Sequence, residues 1–444
     1  MRSPFTLAFF LTAALPFLAG CNTSPSAVEH RAREELNTAG RALSLQPGQI
    51  PLPVLSATAT ADTYVRYALL NHPTVYAAFN DWRASVASIA VAGALPDPQI
   101  TFQADITNTV MSLMPGVMFD LMASGKRAAM NREAAASAEI ARRTYLSTLV
   151  RVAAETRRVL VELAYLDEAI RLRTASVAVA ENVRLLAASS YATGRGMDAA
   201  LEPQLRAASE ADLARNELAT LIDRRAAVRT RLKSTLGLAP GAPDPIWPAR
   251  SLAASPLPES DALWQRVQTS NPELATMRAM VDMAVSAEEV AGRNSTPDFT
   301  AGLMTDVKQS PWMWRPTATM TLPIWRSKLA GQLETAKARR EAAARKIEAE
   351  TLTMAADFAR MSFMVREADR MIAYIDHSAL PNLARTRTAA LSAFRTGGGS
   401  PAMIAGFSSM ELALQTERLG ALRDRELAVI DLFAMTADVV PAKY

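Results

Sequence analysis

The longest uninterrupted pattern of the chain lies between Gly125 and Gly194, a stretch that contains neither glycine nor proline. Alanine, arginine, glutamate and leucine, which are all good helix formers, dominate this stretch. Within it, apolar or small side chains recur at alternating gaps of three and four residues: Leu149, Val152, Thr156, Val159, Leu163, Leu166 and Ile170. This spacing predicts a coiled-coil-like seam on one helix roughly 100 Å long. A helix of this length is consistent with a free coiled-coil stalk and with one element of a larger assembly.

A period of two residues replaces the helical period on the N-terminal side of this stretch. From Gln99 to Thr107, apolar residues such as Ile100 and Phe102 alternate strictly with polar ones, and a second alternating run includes Val117 to Leu121. This pattern predicts two strands, each with one apolar face. The polar face of the first strand would carry Thr101, Gln103 and Asp105.

The same order of patterns returns about 200 residues later, which predicts an internal two-fold repeat. Asn271-Pro272 matches Asn71-His72-Pro73, and Lys328 opens a second long helical stretch. Two further alternating runs lie between them, and the polar positions of the second run are Thr317, Thr319 and Thr321. We therefore divide the chain into a first structural repeat at 59–236, a linker at 237–258, a second repeat at 259–437 and a C-terminal tail at 438–444.

Each half is predicted to contain a short helix pair, two strands, a very long helix and a return helix, so the fold is mainly α with a small β part. A transmembrane strand needs about 9–11 residues, and about eight strands make the smallest closed barrel. Four strands with open edges are not tolerated in lipid. Three chains would supply a 12-stranded transmembrane β-barrel and continue it as a trimeric α-barrel of coiled-coil helices. The alternative is a soluble sheet with helices over its second face.

The N-terminus predicts export. Arg2 precedes an apolar run from Phe5 to Leu18, and Leu18-Ala19-Gly20 leads into Cys21, the only cysteine. This segment resembles a bacterial lipoprotein signal at 1–20, with Cys21 as the lipidated residue and Asn22 favouring the outer membrane. An ordinary signal peptide with a chance cysteine is the alternative. Residues 21–58, rich in Ser, Pro, Thr and Ala, are expected to form a tether with little structure.

Composition excludes several classes of function. The net charge is +4 and the charged residues, 21% of the chain, are interspersed along helices, so we expect solvated faces and no nucleic-acid partner. No window after the leader is apolar enough for a transmembrane helix. No phosphate loop or nucleophile motif occurs, and His30, His72 and His377 lack metal-ligand spacing. We predict no enzymatic activity, no cofactor and no tight metal site.

Methionine is abundant, with twenty residues. One group lies near the first strand pair (Met111, Met114, Met118, Met122) and another in the second long helix (Met354, Met361, Met364, Met371). Thioethers suit Cu(I), whereas adaptable apolar packing is the simpler role of methionine. In the second long helix, apolar residues at gaps of four and three form a seam that favours packing as the role of the second group: Met354, Phe358, Met361, Val365, Ala368, Ile372 and Ile375.

Taken together, these landmarks resemble the TolC-like outer-membrane efflux proteins over nearly all of the mature chain, from about Tyr64 to Ala437. The segments Leu322 to Leu329 and Ala379 to Ala384 are similar to the branch that serves heavy-metal and related exporters. The resemblance implies a homotrimeric channel that works with a periplasmic adaptor (membrane fusion) protein and an inner-membrane pump of the resistance–nodulation–division type. The implied cargo is heavy-metal ions. The alternatives are a multidrug channel of the same architecture and a periplasmic coiled-coil lipoprotein or adaptor without a pore.

The periplasmic tip departs from the family pattern, because residues 400–407 carry none of the acidic side chains that often narrow the channel there. Candidates for the tip and its gate are Gly194, Gly196, Asp198, Glu202, Gly397, Gly398, Gly399, Met403 and Phe407. Pro381 interrupts the second long helix, so a kink or break is expected at that residue.

Overall fold

The computed structural model describes residues 26–43, 52–106, 110–123, 125–194, 200–249, 251–395 and 401–441. In these residues the elements follow the order α1 (Ala27–Leu43), α2 (Ala61–Asn71), α3 (Pro73–Gly93), β1 (Gln99–Ile106), β2 (Val110–Leu121), α4 (Lys126–Thr193), α5 (Leu201–Thr235), α6 (Ser260–Ser270), α7 (Pro272–Arg293), β3 (Asp298–Asp306), β4 (Met313–Thr321), α8 (Arg326–Tyr374), a π-helical turn (Ile375–Ala379), α9 (Leu380–Arg395) and α10 (Pro401–Met435). The predicted mainly helical fold with four strands is confirmed.

The chain forms two compact units. Unit 1 contains Met1–Arg41, Asn80–Arg142 and Met277–Arg345, and unit 2 contains Ala42–Phe79, Arg143–Thr276 and Lys346–Tyr444. Each unit therefore takes residues from both predicted repeats. The elements of the first half recur in the same order in the second half, while the duplication itself remains a prediction.

Unit 1 contains the four strands and the helical segments next to them in the chain. The Nδ2 atom of Asn131 on α4 donates to the carbonyl of Ile89 on α3 at 3.1 Å, and Arg132 pairs with Glu289 on α7. These contacts join helical segments that flank strands of both halves. They hold these helical segments of unit 1 together.

Helix α1 corrects the expectation of an unstructured tether over residues 21–58. Its residues include the helix formers Ala, Glu, Arg and Leu, and Arg33 pairs with Glu29 one turn away at 2.7 Å. The helix also packs within unit 1, since Ser26 donates to Asn131 and Arg142 lies 3.4 Å from Glu35. The Ser- and Pro-rich composition that suggested a tether is concentrated outside residues 27–43.

Unit 2 is built around the seam that the sequence predicted. Helix α4 has 68 residues, and the seam residues Leu149 to Leu166 are buried, with Thr156 fully so. Ion pairs join α4 to the return helix α5, including Arg173 with Glu217 at 2.7 Å. These pairs are largely exposed and contribute roughly 0–1 kcal/mol each, so the apolar seam supplies most of the stability.

The second long helix also packs by its predicted seam. Phe358 and Val365 of α8 lie in one buried cluster with Leu263, Val267 and Leu432, and Met361 and Met364 pack against this cluster. Packing is therefore the role of these two α8 methionines.

The expected interruption near Pro381 takes the form of a π-helical turn. Residues Ile375–Ala379 replace the regular i→i−4 pattern, and Leu380 donates to the carbonyl of Ile375 five residues earlier. Helix α9 then continues from Leu380. A wider turn accommodates the missing N–H and the ring of Pro381, so the chain does not leave the helical path.

Corresponding helix ends in the two halves use the same hydrogen bonds. Asn71 donates its side-chain amide to the carbonyl of Leu236, and Asn271 donates in the same way to Met435. Gly237 follows the first return helix at φ +70°, and Ala437 follows the second at φ 63°. Both positions are the left-handed residue that closes a helix, a conformation that glycine adopts without strain.

We expect Gly237→Ala to lower the free energy of unfolding by about 1–3 kcal/mol, because a non-glycine residue is strained at positive φ. The added Cβ would also lie 2.6 Å from the carbonyl oxygen of Asn71. Urea unfolding followed by circular dichroism in detergent measures the change. Ala437→Gly is the matched control and is expected to be neutral or stabilising. A loss of stability in Ala437→Gly as large as that in Gly237→Ala would contradict this reasoning.

Candidate functional site

The four strands form one antiparallel sheet in the order β1-β2-β3-β4. Directly paired residues share a face of such a sheet. Ile100 pairs with Val117, Val117 with Leu303, and Phe299 with Met320. The register therefore collects one almost wholly apolar face, on which Thr305 is the polar exception: Ile100, Phe102, Ala104, Leu113, Pro115, Val117, Phe119, Leu121, Phe299, Ala301, Leu303, Trp314, Pro316, Ala318 and Met320.

Among the residues that the structure describes, nothing covers the apolar face. Phe102 is 73% exposed and Trp314 is 53% exposed, and apolar neighbours along all four strands are also exposed. A monomeric soluble protein rarely presents a continuous apolar surface of this kind. The predicted alternative, in which helices cover the second face of a soluble sheet, does not account for an apolar face that stays uncovered.

The opposite face, which we call the polar face, carries all six predicted lining residues: Thr101, Gln103, Asp105, Thr317, Thr319 and Thr321. Ser112 donates to Asp105 at 2.7 Å, and Thr300 donates to Asp120 at 2.7 Å. Thr101 and Thr317 are half-buried and the other four are exposed. The sheet thus separates apolar from polar side chains across its thickness, as a wall between lipid and water requires.

Four methionines also lie on the polar face: Met114, Met118, Met304 and, at the start of β4, Met313. The sequence grouped the first two with Met111 and Met122 but did not connect them to Met304. Met111 is 63% exposed beside a register shift, and Met122 lies beyond the end of β2. Only the pairing of β2 with β3 shows that Met304 lies beside Met114 and Met118.

The predicted tip residues fall in unit 2, and the structure describes part of them. Gly194 ends α4 at φ +63°, and Glu202 is exposed in the first turn of α5. Met403 is exposed and Phe407 is half-buried, one helical turn apart near the start of α10. Gly196, Asp198 and Gly397 to Gly399 lie outside the described residues, as does Cys21.

Two ion pairs connect α10 to the second long helix between the π turn and the tip. Arg418 donates through Nε and Nη2 to both carboxylate oxygens of Asp376 at 2.6 and 2.9 Å, and Arg387 pairs with Glu411 at 2.7 Å. Hydrogen bonding from Arg418 lowers the pKa of Asp376. The two pairs join α10 to the π turn and to α9.

Two further ionisable groups of unit 2 have altered pKa values. Burial, with a smaller effect from Arg151, lowers the pKa of His72, so this side chain is neutral near pH 7. Burial raises the pKa of Glu273, and the nearby Glu350 adds to the effect. Among the described residues, no group of three or more His, Cys, Asp or Glu side chains could hold a metal ion.

The junction after β4 is where the sequence most resembles the metal-export branch. Leu322, Ile324 and Trp325 are exposed there, next to the start of α8. At the start of α4, Lys126 pairs with Asp298 at 2.6 Å, and the same carboxylate accepts from the backbone N–H of Ala123. Apolar and aromatic side chains beside cations are typical of a membrane–water boundary.

No described helix combines the length and hydropathy needed to cross a bilayer.

The fold is similar to that of several solved outer-membrane proteins. The chain matches CusC, whose description concerns transmembrane channel formation, with a TM-score of 0.71 and 14% identity over 89% of this chain and 95% of that one. It matches VceC from Vibrio cholerae with a TM-score of 0.69 and 15% identity over 86% of this chain and 97% of that one. It matches the CmeC outer membrane channel of Campylobacter jejuni with a TM-score of 0.69 and 12% identity over 89% of this chain and 91% of that one.

No family model and no curated protein matches the chain. The chain nevertheless has the fold of the TolC-like outer-membrane channels, as the resemblance in its sequence predicted. At 12–15% identity this likeness shows the fold, and the absence of enzymatic activity stays a prediction.

Proposed function

We propose that the protein is the outer-membrane exit duct of a tripartite efflux system. The observation that carries this proposal is the sheet, with one exposed apolar face and one polar face. Within the described residues, β1 and β4 each pair on one side only. Open strand edges cannot face hydrocarbon, so copies of the chain must pair edge to edge. Three copies would give twelve strands, whose polar faces would line a water-filled passage for passive conduction.

The remaining parts of the proposal follow from the same architecture. The coiled-coil helices α4, α5, α8, α9 and α10 of a homotrimer would form a helical barrel in the periplasm. The tip near Gly194 and Met403 would meet a periplasmic adaptor protein, which links the duct to an inner-membrane pump of the resistance–nodulation–division type. A lipidated Cys21 would anchor each chain in the outer-membrane lipid.

Detergent-extracted protein tests the duct directly. We expect the mass of a trimer, migration on gels that changes on heating, and stepwise conductance after insertion into planar lipid bilayers. A monomer released from membranes by salt alone would overturn the proposal in favour of a periplasmic coiled-coil lipoprotein or adaptor.

Heavy-metal ions are the cargo we propose, and the resemblance of Leu322 to Leu329 to the metal-export branch supports this choice. Deleting the gene should lower tolerance to one or more of copper, silver, zinc and cobalt. Unchanged metal tolerance together with new sensitivity to dyes would instead identify a channel for drugs and other small molecules.

A further inference from the structure

Met304 lies between two other methionines of the polar face, Met114 and Met118. Met304 pairs directly with Gly116, and Met114 and Met118 lie two residues to either side of Gly116 on β2. They are therefore the two diagonal neighbours of Met304. Such neighbours are about 7–8 Å apart, a distance that long side chains span.

Two glycines make room for these side chains to lie across the sheet. A Cβ atom on Gly116 would lie 2.5 Å from Cγ of Met304, and one on Gly302 would lie 2.8 Å from Cγ of Met118. Met304 thus leans over β2 while Met118 leans over β3. The two side chains thus cross in opposite directions between β2 and β3, and Met114 is the other diagonal neighbour of Met304.

A threonine on the neighbouring strand pairs with each of the two glycines. Thr101 pairs with Gly116 on one side, and Thr317 pairs with Gly302 on the other. In one row across the sheet, Thr101 on β1 is followed by Gly116 on β2 and Met304 on β3. In the neighbouring row of the polar face, Thr317 on β4 is followed by Gly302 on β3 and Met118 on β2, so the same residue types occur in the opposite direction. The hydroxyl oxygens of Thr101 and Thr317 are buried and have no hydrogen-bond partner among the described residues.

Apolar packing alone does not explain this arrangement. Met114 is 1% exposed and Met304 is 8% exposed, yet both lie on the face that carries Gln, Thr, Ser and Asp side chains. Among the regularly paired residues of the sheet, Met320 is the methionine of the apolar face. Thioethers are concentrated where the sheet is otherwise polar, which is the arrangement of ligands rather than of core residues.

We propose that Met114, Met118 and Met304 form a binding site for a soft monovalent metal ion of the Cu(I) class, with the hydroxyls of Thr101 and Thr317 beside it. Thioether sulfur is a soft ligand that selects Cu(I) over Mg²⁺ or Ca²⁺. These donors are neutral, and the exposed guanidinium of Arg315 lies directly opposite Met304. Both features keep binding weak enough for the ion to exchange.

The transport role of this site rests on the proposed function, because only that proposal makes the polar face the lining of the passage. Binding itself does not depend on it. A protein that fails to conduct in bilayers but still binds the ion would refute the duct and leave the metal site intact.

Silver(I) nitrate in chloride-free buffer is the probe, added to the purified full chain in detergent. Bound silver is measured by equilibrium dialysis with elemental analysis, and the methionine methyl groups are followed by carbon-13 NMR. We expect about one exchangeable ion per chain, with shifts at Met114, Met118 and Met304. The triple variant Met114→Leu/Met118→Leu/Met304→Leu should weaken binding at least tenfold, because leucine keeps the volume and removes the sulfur.

Met320→Leu on the apolar face and Met354→Leu in α8 are the matched controls and should bind as the wild type does. Unchanged binding by the triple variant, or an equal loss in Met320→Leu, would overturn the proposal. If the triple variant does not fold, Met304→Leu alone must still weaken binding and abolish the silver-induced shifts of the Met114 and Met118 methyl groups. Shifts that persist in Met304→Leu would overturn it too.

Discussion

Replacing Arg425 by methionine is expected to lower the free energy of unfolding by about 3–5 kcal/mol, the cost of leaving a buried charge without its partner. The side chains of Arg425 and Glu426 are 9% and 7% exposed. Arg425 donates to Asp369 at 2.6 Å, to Glu426 at 2.7 Å and to the carbonyl of Ser255 at 2.9 Å. Glu426 in turn accepts from the backbone N–H and the hydroxyl of Ser255. Removing the guanidinium leaves Glu426 as a buried anion.

Arg360→Met is the matched control for this prediction. Arg360 pairs with Asp357 at 3.1 Å, but both side chains are about half exposed, at 58% and 45%. Such a pair contributes at most about 1 kcal/mol. Urea unfolding in detergent compares the two variants, and the double variant Arg425→Met/Glu426→Gln should recover part of the loss. Equal effects of Arg425→Met and Arg360→Met would show that burial of the pair does not matter.

Replacing Phe102 by arginine is expected to deplete the protein from the outer membrane. Phe102 lies in the middle of β1 on the apolar face and is 73% exposed within the chain. An arginine on the lipid side of a membrane strand costs about 2–4 kcal/mol near the middle of the bilayer. The amount of heat-modifiable protein in isolated outer membranes measures the loss, which should exceed tenfold.

Gln103→Arg separates this effect from a general intolerance of the strand to arginine. Gln103 is the next residue on β1, is also exposed, and lies on the polar face. Its arginine variant should insert at close to the wild-type level. If Gln103→Arg were depleted as strongly, or if Phe102→Arg accumulated normally, the apolar face would not be the surface that contacts lipid.

Much of this architecture could be predicted because its signals are local. The alternation from Gln99 to Ile106 and the seam from Leu149 to Leu166 are periodic patterns that burial and pairing then follow. The starts of β2 and β4 are harder to predict from the sequence. Pro115 and Pro316 lie inside β2 and β4, where proline usually argues against a strand. β4 is an edge strand, and the pairing of β2 with β3 begins at Gly116, so neither proline breaks a ladder on both sides.

The thioether site could not be derived from spacing along the chain. Met304 is far from Met118 in sequence, and only the pairing of Gly116 with Met304 brings the two rows together. Helix α1 was missed for a different reason. Its own composition favours a helix, but the Ser- and Pro-rich residues on both sides determined the prediction for the whole segment.

The π-helical turn has a consequence for the relation between the two halves. Buried seam residues are normally separated by seven residues over two turns, as from Leu383 to Ala390, but eight residues separate Ile375 from Leu383 across the π turn. The π turn thus accommodates one extra residue, and the buried residues after it lie on the same side of the helix as those before it. The offset between the two halves also grows by one residue along this helix. It is 202 residues from Lys126 to Lys328, and 203 from Tyr191 to Phe394, which begin the similar sequences Tyr-Ala-Thr-Gly and Phe-Arg-Thr-Gly at the ends of the two long helical stretches. Under the predicted duplication, the π turn is the trace of a single-residue insertion that one copy acquired and accommodated without moving its buried face.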